Sequence, residues 1–470
     1  MPRQNRRKPI VLENIEIIDT ATKGKSVARH DSVIIFIKGG VPGDICNITV
    51  FKRRKKYWEA NINQIVKKSK SRIDPICEHF GSCGGCKWQN MNYQSQLKFK
   101  QNEVINNLTR IGGITISKYN QIIGCEQEYF YRNKMEFTFS NKRWLTKEEV
   151  ASNSEIKNKD ALGFHVPGMF DKVIDIKKCH LQKEPSNKIR LAVKEFADNN
   201  KLPYFDLRNQ TGLLRNLLIR TSTTNELMVL VQFFNNDTKK IKLLMDFIKD
   251  TFNEITSLLY TINTKGNNTL YDQDILCYSG KDYITEEIDD LVFKIGPKSF
   301  FQTNSKQAKK LYSITRELAE INEKDIVYDL YTGTGTIAQF IAKKAKMVIG
   351  IDSVKEGIMA AYENAKFNNI KNCTFYTGDM KDIFSDEFIN KNGHPNVIIT
   401  DPPRDGMHKK VIEQILNILP QRIVYVSCNS ATQARDISIM NEKYNVTKIQ
   451  TVDMFPQTHH VENIVVLELI

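Results

Sequence analysis

The sequence predicts an α/β protein with a C-terminal doubly wound sheet, a central α+β unit and a small N-terminal β-barrel. Three observations lead there. After about residue 291, apolar strands alternate with Gly loops and amphipathic helices. Residues 8–66 hold short strands punctuated by Gly and Pro, with little helical periodicity. Between them, strand-like pieces mix with helical ones. A chain of 470 residues has room for about three domains of ~150 residues each, and the shifts in pattern place them at 1–70, 71–290 and 291–470.

The first unit reads as IVLENIEIIDT, SVIIFIK and DICNITVFKRRKKYWEANINQIV, broken by Gly24 and by the turn Gly39-Gly40-Val41-Pro42-Gly43-Asp44, a pattern that suits an oligonucleotide-binding (OB) type barrel. In the second, residues 71–92 carry a cysteine cluster around two adjacent glycines and cannot be regular helix. Tyr93 to Arg110 is amphipathic, with Leu97, Val104 and Leu108 on one side. The strand-like MEFTFS and LMVLVQFF precede a helix at KKIKLLMDFIKDTFNEI. In the third, IVYDL, MVIGID, CTFYTGD, NVIITDPP and IVYVSC alternate with helices, and VTKIQTVDMF and NIVVLELI close the sheet.

Composition excludes several classes. With 41% hydrophobic and 26% charged residues and no apolar run near the ~18 that span a bilayer, the chain is not a membrane protein. The basic opening MPRQNRRK meets Glu13 and Glu16 before any long apolar stretch, unlike a secretory signal, so a cytoplasmic location is expected. Residues 1–70 hold 16 basic and 6 acidic residues, +10 of the net +14. So local a positive field suits a nucleic acid, the bland alternative being a solubilising tail. Lys52-Arg53-Arg54-Lys55-Lys56 runs into Tyr57 and Trp58, charge beside stacking surface, as RNA binders use.

Nine cysteines without a secretory signal are not a disulfide framework. Cys46, Cys125, Cys277 and Cys373 read as buried small hydrophobes. Cys77-x5-Cys83-Gly84-Gly85-Cys86, with Cys179, makes a four-thiolate set. Zinc and iron–sulfur clusters both accept four thiolates. Having one tight pair where zinc sites more often have two C-x2-C pairs favours iron–sulfur.

Four C-terminal motifs carry chemistry. Asp329-Leu-Tyr331-Thr-Gly333-Thr-Gly335 sits where strand gives way to helix, and its glycines admit a ligand close to the backbone. Asp352 ends the next strand, 17 residues past Gly335, where a carboxylate can hold both hydroxyls of a ribose. Ala338 in the third fingerprint position leaves a dinucleotide open, but Asp329 directly upstream favours a methyl donor. Asp401-Pro402-Pro403-Arg404 follows a strand at the ligand-binding edge; with Arg404 where amine methyltransferases place an aromatic ring, an exocyclic amine loses weight as the target. Cys428 ends another strand before a helix start, an environment that favours thiolate and a nucleophile over inert packing. Because DPPRDG lacks the cysteine of cytosine methyltransferases, uracil is the expected base. Glu462 stands just before the last strand, as a base or a strand-edge cap.

CEHFGSCGGCKWQ, SFFQTN, DLYTGTG, TDPPRDG, VSCNSATQARD and DMFPQTHHVE together resemble the bacterial RNA 5-methyluridine methyltransferases. The resemblance is closest to the branch that acts on 23S ribosomal RNA and carries an N-terminal TRAM domain and a 4Fe-4S cluster. It implies a class I (Rossmann-like) methyltransferase domain using S-adenosyl-L-methionine. The implied donor contacts are Gln302, Tyr331, Asp352 and Asp401, with Asp352 standing where the family commonly has Glu. The implied nucleophile is Cys428, the base Glu462, and the cluster ligands Cys77, Cys83, Cys86 and Cys179. The partner implied is 23S ribosomal RNA, with no membrane, and the protein a monomer. A tRNA uridine-5-methyltransferase and a non-catalytic RNA-binding ribosome-assembly factor are the rival readings.

Overall fold

The structure, a computed structural model, describes residues 9–116, 118–152 and 158–470. The basic opening, with Arg3, Arg6, Arg7 and Lys8, lies outside the described residues. Five strands, β1 (Ile10–Ala21), β2 (Lys25–His30), β3 (Val33–Lys38), β4 (Ile45–Arg53) and β5 (Tyr57–Lys67), close into a barrel of order β1-β2-β3-β5-β4. Alternation puts Ile17, Ala28, Ile35, Ile37, Ile48 and Val50 inside. The stretch read as one piece from Asp44 to Val66 is a hairpin, and the basic run supplies its tip at Arg54-Lys55-Lys56, exposed to solvent. Three adjacent cations are better solvated at a turn than in a ladder. Asp44, fully buried, fastens the barrel to the next segment through Arg72 at 2.5 Å.

The helix α1 (Tyr93–Arg110) comes next. The central sheet then builds from β6 (Lys134–Ser140), a short helix α2 (Lys147–Ala151), β7 (Ala161–Val166), β8 (Met169–Asp175), α3 (Ser186–Asn199), β9 (Leu214–Thr221), β10 (Leu227–Phe233), α4 (Thr238–Thr251), β11 (Ser257–Ile262) and β12 (Ile275–Gly280). Its order is β12-β11-β10-β9-β6-β7-β8. Every residue of β10 is buried because both faces are covered. Val229 and Val231 face α3 and α4, while Met228 and Leu230 join the core of the C-terminal unit. A strand covered on both faces loses the polar alternation. Cys46 and Cys373 are buried as expected, but Cys125 is half-buried, its thiol donating to the Asp453 carbonyl at 3.0 Å, and Cys277 is exposed. It lies on β12, an edge strand of the central sheet.

After the hairpin β13 (Ile284–Ile288) and β14 (Leu291–Ile295), the C-terminal unit runs α5 (Ser305–Ala319), β15 (Ile326–Leu330), α6 (Thr336–Ala342), β16 (Met347–Asp352), α7 (Lys355–Phe367), β17 (Cys373–Thr377), α8 (Met380–Ile383), α9 (Asp386–Asn392), β18 (Val397–Thr400), α10 (Lys409–Ile418), β19 (Arg422–Ser427), α11 (Ser430–Met440), β20 (Tyr444–Val452) and β21 (Glu462–Leu469). The sheet order is β17-β16-β15-β18-β19-β21-β20, parallel except for β21, which is antiparallel to both neighbours. Strand order reverses between β15 and β18, so a crevice opens at their carboxyl ends. One face is covered by α5, α6 and α7, the other by α10, α11 and α1. Val104 and Leu108 of α1 are fully buried there, so this helix packs with the C-terminal sheet although the central sheet follows it in sequence. Among the described residues, no helix is long and apolar enough to cross a membrane.

Candidate active site and cysteine cavity

The crevice begins at Asp329, the penultimate residue of β15, buried to 1% exposure. Thr332 Oγ1 donates to its Oδ2 at 2.5 Å and the Ala338 amide to the same oxygen at 3.0 Å, while Oδ1 has no partner among the described residues. Burial pushes this carboxyl up to about 7. Gly335 must be glycine. Its φ is +72°, and a Cβ there would lie 2.8 Å from Ala361 Cβ. Gly333, also at positive φ, faces open space, with none of the described residues within 4 Å of a would-be Cβ. That space belongs to a cavity of about 260 Å³ lined by Gly333, Thr334, Asp352 and Gly357 together with Tyr271 and Phe300. Asp352 takes the Gly333 amide on Oδ2 at 2.9 Å and the Val354 amide on Oδ1 at 2.8 Å, leaving further acceptor capacity on each oxygen.

Of the four residues the resemblance assigns to the donor, Asp352 lines this cavity. Tyr331, at φ +65°, follows β15 and packs against the apolar layer beneath α10 and α11. Gln302 lies just ahead of α5, its carbonyl taking the Asn133 amide side chain at 2.9 Å. Asp401 follows β18 at the crevice. Phe300 stands in the SFFQTN motif, two residues before Gln302, without a signal that sets it apart, and Tyr271, from a loop ahead of the C-terminal sheet, carries no sequence signal of its own.

Cys428, Asp401, Glu462 and Arg404 converge beside it. Cys428 sits between the end of β19 and Asn429, the N-cap of α11, whose side chain accepts from the Ala431 amide. The positive charge of Arg404 favours the ionised thiol, while Glu462 and Asp401 set negative charge against it. Burial, reinforced by those carboxylates, pushes the thiol up to about 11. The expectation that the helix start favours thiolate is therefore corrected. Desolvation and two carboxylates outweigh the one guanidinium. Burial raises both Asp401 and Glu462, and their proximity adds further to Glu462. Two like charges in a dry site do not both ionise easily. Arg404, whose one expected consequence is to disfavour an amine target, is thus a site residue. Its role depends on which loop faces β19, and the motif alone does not carry that.

On the other side of the Asp453–His460 loop lies a cavity of about 340 Å³ lined by Cys77, Cys83, Cys86 and Cys179, with His460 on its wall. All four cysteines are free thiols. The Gly85 amide donates to Cys83 Sγ at 3.4 Å, and the Lys177 amide donates to His79 Nε2 at 2.9 Å, tying the two cysteine-bearing segments together. Burial raises all four thiols, Cys83 to about 11 and Cys86 to about 12. Among the described residues, no three His, Cys, Asp or Glu side chains form a group that could hold a metal ion. Zinc, at about 2.3 Å from each sulfur, would need the thiols drawn together around one point. They surround a volume instead. Nearby Arg190 is fully buried, with Nε and Nη1 unpartnered among the described residues and its charge acting on Cys179. A group whose cationic metal centres neutralise the thiolates, and whose net charge with them stays negative, would answer both the two unpartnered Arg190 donors and the cost of burying thiolates.

A doubly wound sheet with a Gly loop and a carboxylate at the end of the second strand fits a nucleoside-binding fold, and likeness to known proteins makes it a methyltransferase. Residues 262–470 match the family model for tRNA (uracil-5-)-methyltransferase. An uncharacterized RNA methyltransferase of Bacteroides thetaiotaomicron is 52% identical over 452 residues, covering 96% of this chain and 100% of the relative. One from Porphyromonas gingivalis is 50% identical over 462 residues, covering 96% and 99%. The crystal structure of Pyrococcus abyssi tRNA (uracil-54, C5)-methyltransferase in complex with S-adenosyl-L-homocysteine superposes with a TM-score of 0.74 at 27% identity, covering 96% of this chain and 100% of that one. The chain belongs to the RNA methyltransferase family of these relatives, and its C-terminal part matches the uracil-5 model.

Proposed function

We propose that this enzyme methylates carbon 5 of a uridine in 23S ribosomal RNA through a covalent Cys428–uracil adduct. The observation that carries it is the convergence of Cys428, Arg404, Asp401 and Glu462 on one edge of the sheet, beside the Gly333–Asp352 cavity. S-adenosyl-L-methionine supplies an electrophilic sulfonium methyl, for which Asp352 offers acceptors to a ribose. Gln302, Tyr331 and Asp401 are assigned to the same donor by the resemblance.

Carbon 5 of uracil is too weak a nucleophile to take a methyl group unaided. The Cys428 thiolate adds to carbon 6, and the ring electrons move to carbon 5 and the carbonyl oxygen. Asp401 or Gln302 hydrogen-bonds the ring as that charge develops. Carbon 5 then forms its bond to the methyl while the methyl–sulfonium bond breaks. Glu462 takes the carbon 5 proton, the C–H pair restores the ring double bond, and Cys428 leaves as thiolate. A uridine in folded RNA leaves its stack to reach such a site.

Cys77, Cys83, Cys86 and Cys179 would hold a 4Fe-4S cluster, cross-linking the segment ahead of α1 to the one ahead of α3. Four free thiols around one cavity and the unpartnered Nε and Nη1 of Arg190 support a polynuclear group of net negative charge over a single ion. The five-stranded barrel, read as a TRAM domain, would carry RNA on its basic hairpin tip, and the protein would act as a cytoplasmic monomer. A second reading, tRNA as substrate, is favoured by the likeness to the P. abyssi tRNA enzyme. Mapping 5-methyluridine in ribosomal and transfer RNA from a strain lacking the gene decides between them. Loss from 23S RNA alone supports the proposal; loss from tRNA alone replaces it with the second reading.

A further inference from the structure

Arg404 bridges two parts of the molecule. Its guanidinium Nη2 lies 3.3 Å from His460 Nδ1, and its positive charge acts on the Cys428 thiol. Guanidinium has no acceptor, so Nδ1 accepts and the imidazole proton rests on Nε2. The Arg404 backbone is fixed as well, its carbonyl taking Asn429 Nδ2 at 2.8 Å and Thr432 Oγ1 at 3.1 Å, both at the start of the helix that follows Cys428.

His460 is held in turn. It ends a loop in which four successive carbonyls each accept from a different part of the chain. Met454 O takes Asn304 Nδ2 at 2.9 Å, Phe455 O takes Lys100 Nζ at 3.1 Å, Pro456 O takes the Tyr131 hydroxyl at 2.9 Å, and Gln457 O takes the Lys87 and Trp88 amides at 2.9 and 3.1 Å. A loop so fully pinned presents its imidazole in one place, against the cysteine cavity on one side and Arg404 on the other.

We propose that Arg404 is a positioning residue for the nucleophile, aimed at Cys428 by His460, and that it supports the thiolate against the two carboxylates beside it. This rests on the reading of Cys428 as nucleophile. The charged groups acting on that thiol are Glu462 from β21, Asp401 after β18, and Arg404 itself. With both carboxylates opposing ionisation, a fixed cation decides how much thiolate exists before RNA arrives. An Arg that swung freely into solvent would contribute little.

The test is the pH profile of Cys428 alkylation by iodoacetamide, read by peptide mass spectrometry on the full-length protein without RNA or methyl donor. Arg404→Gln should move the midpoint up by about one pH unit or more. Arg404→Lys, keeping charge but losing the planar fork, should fall between it and the wild type. His460→Ala should shift the midpoint in the same direction by less. An unchanged or downward midpoint in Arg404→Gln overturns the proposal; should that variant not fold, an unchanged midpoint in both Arg404→Lys and His460→Ala does so. Trapping of wild-type protein on RNA containing 5-fluorouridine tests the nucleophile separately. Trapping without an Arg404 effect sinks the inference alone, and an Arg404 effect without trapping sinks the nucleophile reading.

Discussion

Lys100 Nζ lies 2.6 Å from Asp453 Oδ1, and neither side chain is exposed at all. The pair joins α1 to the start of the loop that leads to Glu462. The Tyr93 hydroxyl donates to the other carboxylate oxygen at 2.9 Å, and Gln96 exchanges two hydrogen bonds with Gln457, at 3.0 and 2.9 Å. Tyr93, Gln96 and Lys100 share one face of α1 at helical spacing, opposite to where a simple amphipathic helix would keep its polar side in water.

Removing one partner of this pair leaves a charge buried without compensation. Lys100→Met should lower unfolding free energy by about 3–5 kcal/mol. Lys100→Met combined with Asp453→Leu should recover part of that loss. Urea denaturation of the wild type and the single and double variants measures it, and equal losses in single and double variants would show the pair is not coupled.

The reaction makes two different claims about Cys428 and Glu462. Cys428→Ala should abolish both turnover and any covalent RNA adduct. Glu462→Gln keeps the shape but not the base, so addition and methyl transfer proceed while elimination stalls. A methylated protein–RNA species should then accumulate as a slow band on a denaturing gel. Normal turnover by Glu462→Gln would return that carboxylate to a structural role.

Asp329 makes the stability of the protein depend on pH. Its folded carboxyl sits at about 7, well above the unfolded 3.8, so the native state holds the extra proton between those values. Its stabilising contribution is complete below about pH 4 and fades as pH rises to about 7, by up to about 1.4 kcal/mol per unit. Asp329→Asn cannot ionise, so its stability relative to wild type should rise across that window. Denaturant titrations at several pH values test this; a difference that stays constant with pH would contradict the assignment.

Deleting residues 1–67 should weaken RNA binding and reduce the salt slope by roughly 0.7–0.9 for each phosphate that is no longer neutralised. Methyl-donor affinity should hardly change, because its cavity is lined chiefly by the C-terminal unit. An unchanged salt slope would make the hairpin tip a solubilising feature only.

Anaerobically purified protein should be brown, and Cys83→Ser or Cys179→Ser should remove the colour and lower solubility, since thiolate-held metal contributes folding energy. Colourless wild-type protein with stoichiometric zinc would refute the cluster.

Features that depend on neighbours along the chain are legible before any fold is known. The alternation of apolar strand and helix from Ile326 onward sets the doubly wound sheet, since a parallel strand must be followed by a crossover. Gly333 and Gly335, Asp352 at a strand end and Cys428 before a helix start can all be placed at the ligand edge for that reason. Features that need distant residues to meet in a dry interior come from the folded chain alone. Lys100 reads as a surface cation until Asp453, 353 residues away, is seen to neutralise it. The thiol of Cys428 reads as poised to ionise until burial places it beside Asp401 and Glu462, and Arg404 reads as incidental until the fold puts His460 behind it. Periodicity records which side of an element is apolar; it carries no record of which charge waits on the other side, and in a low-dielectric site that partner settles the chemistry.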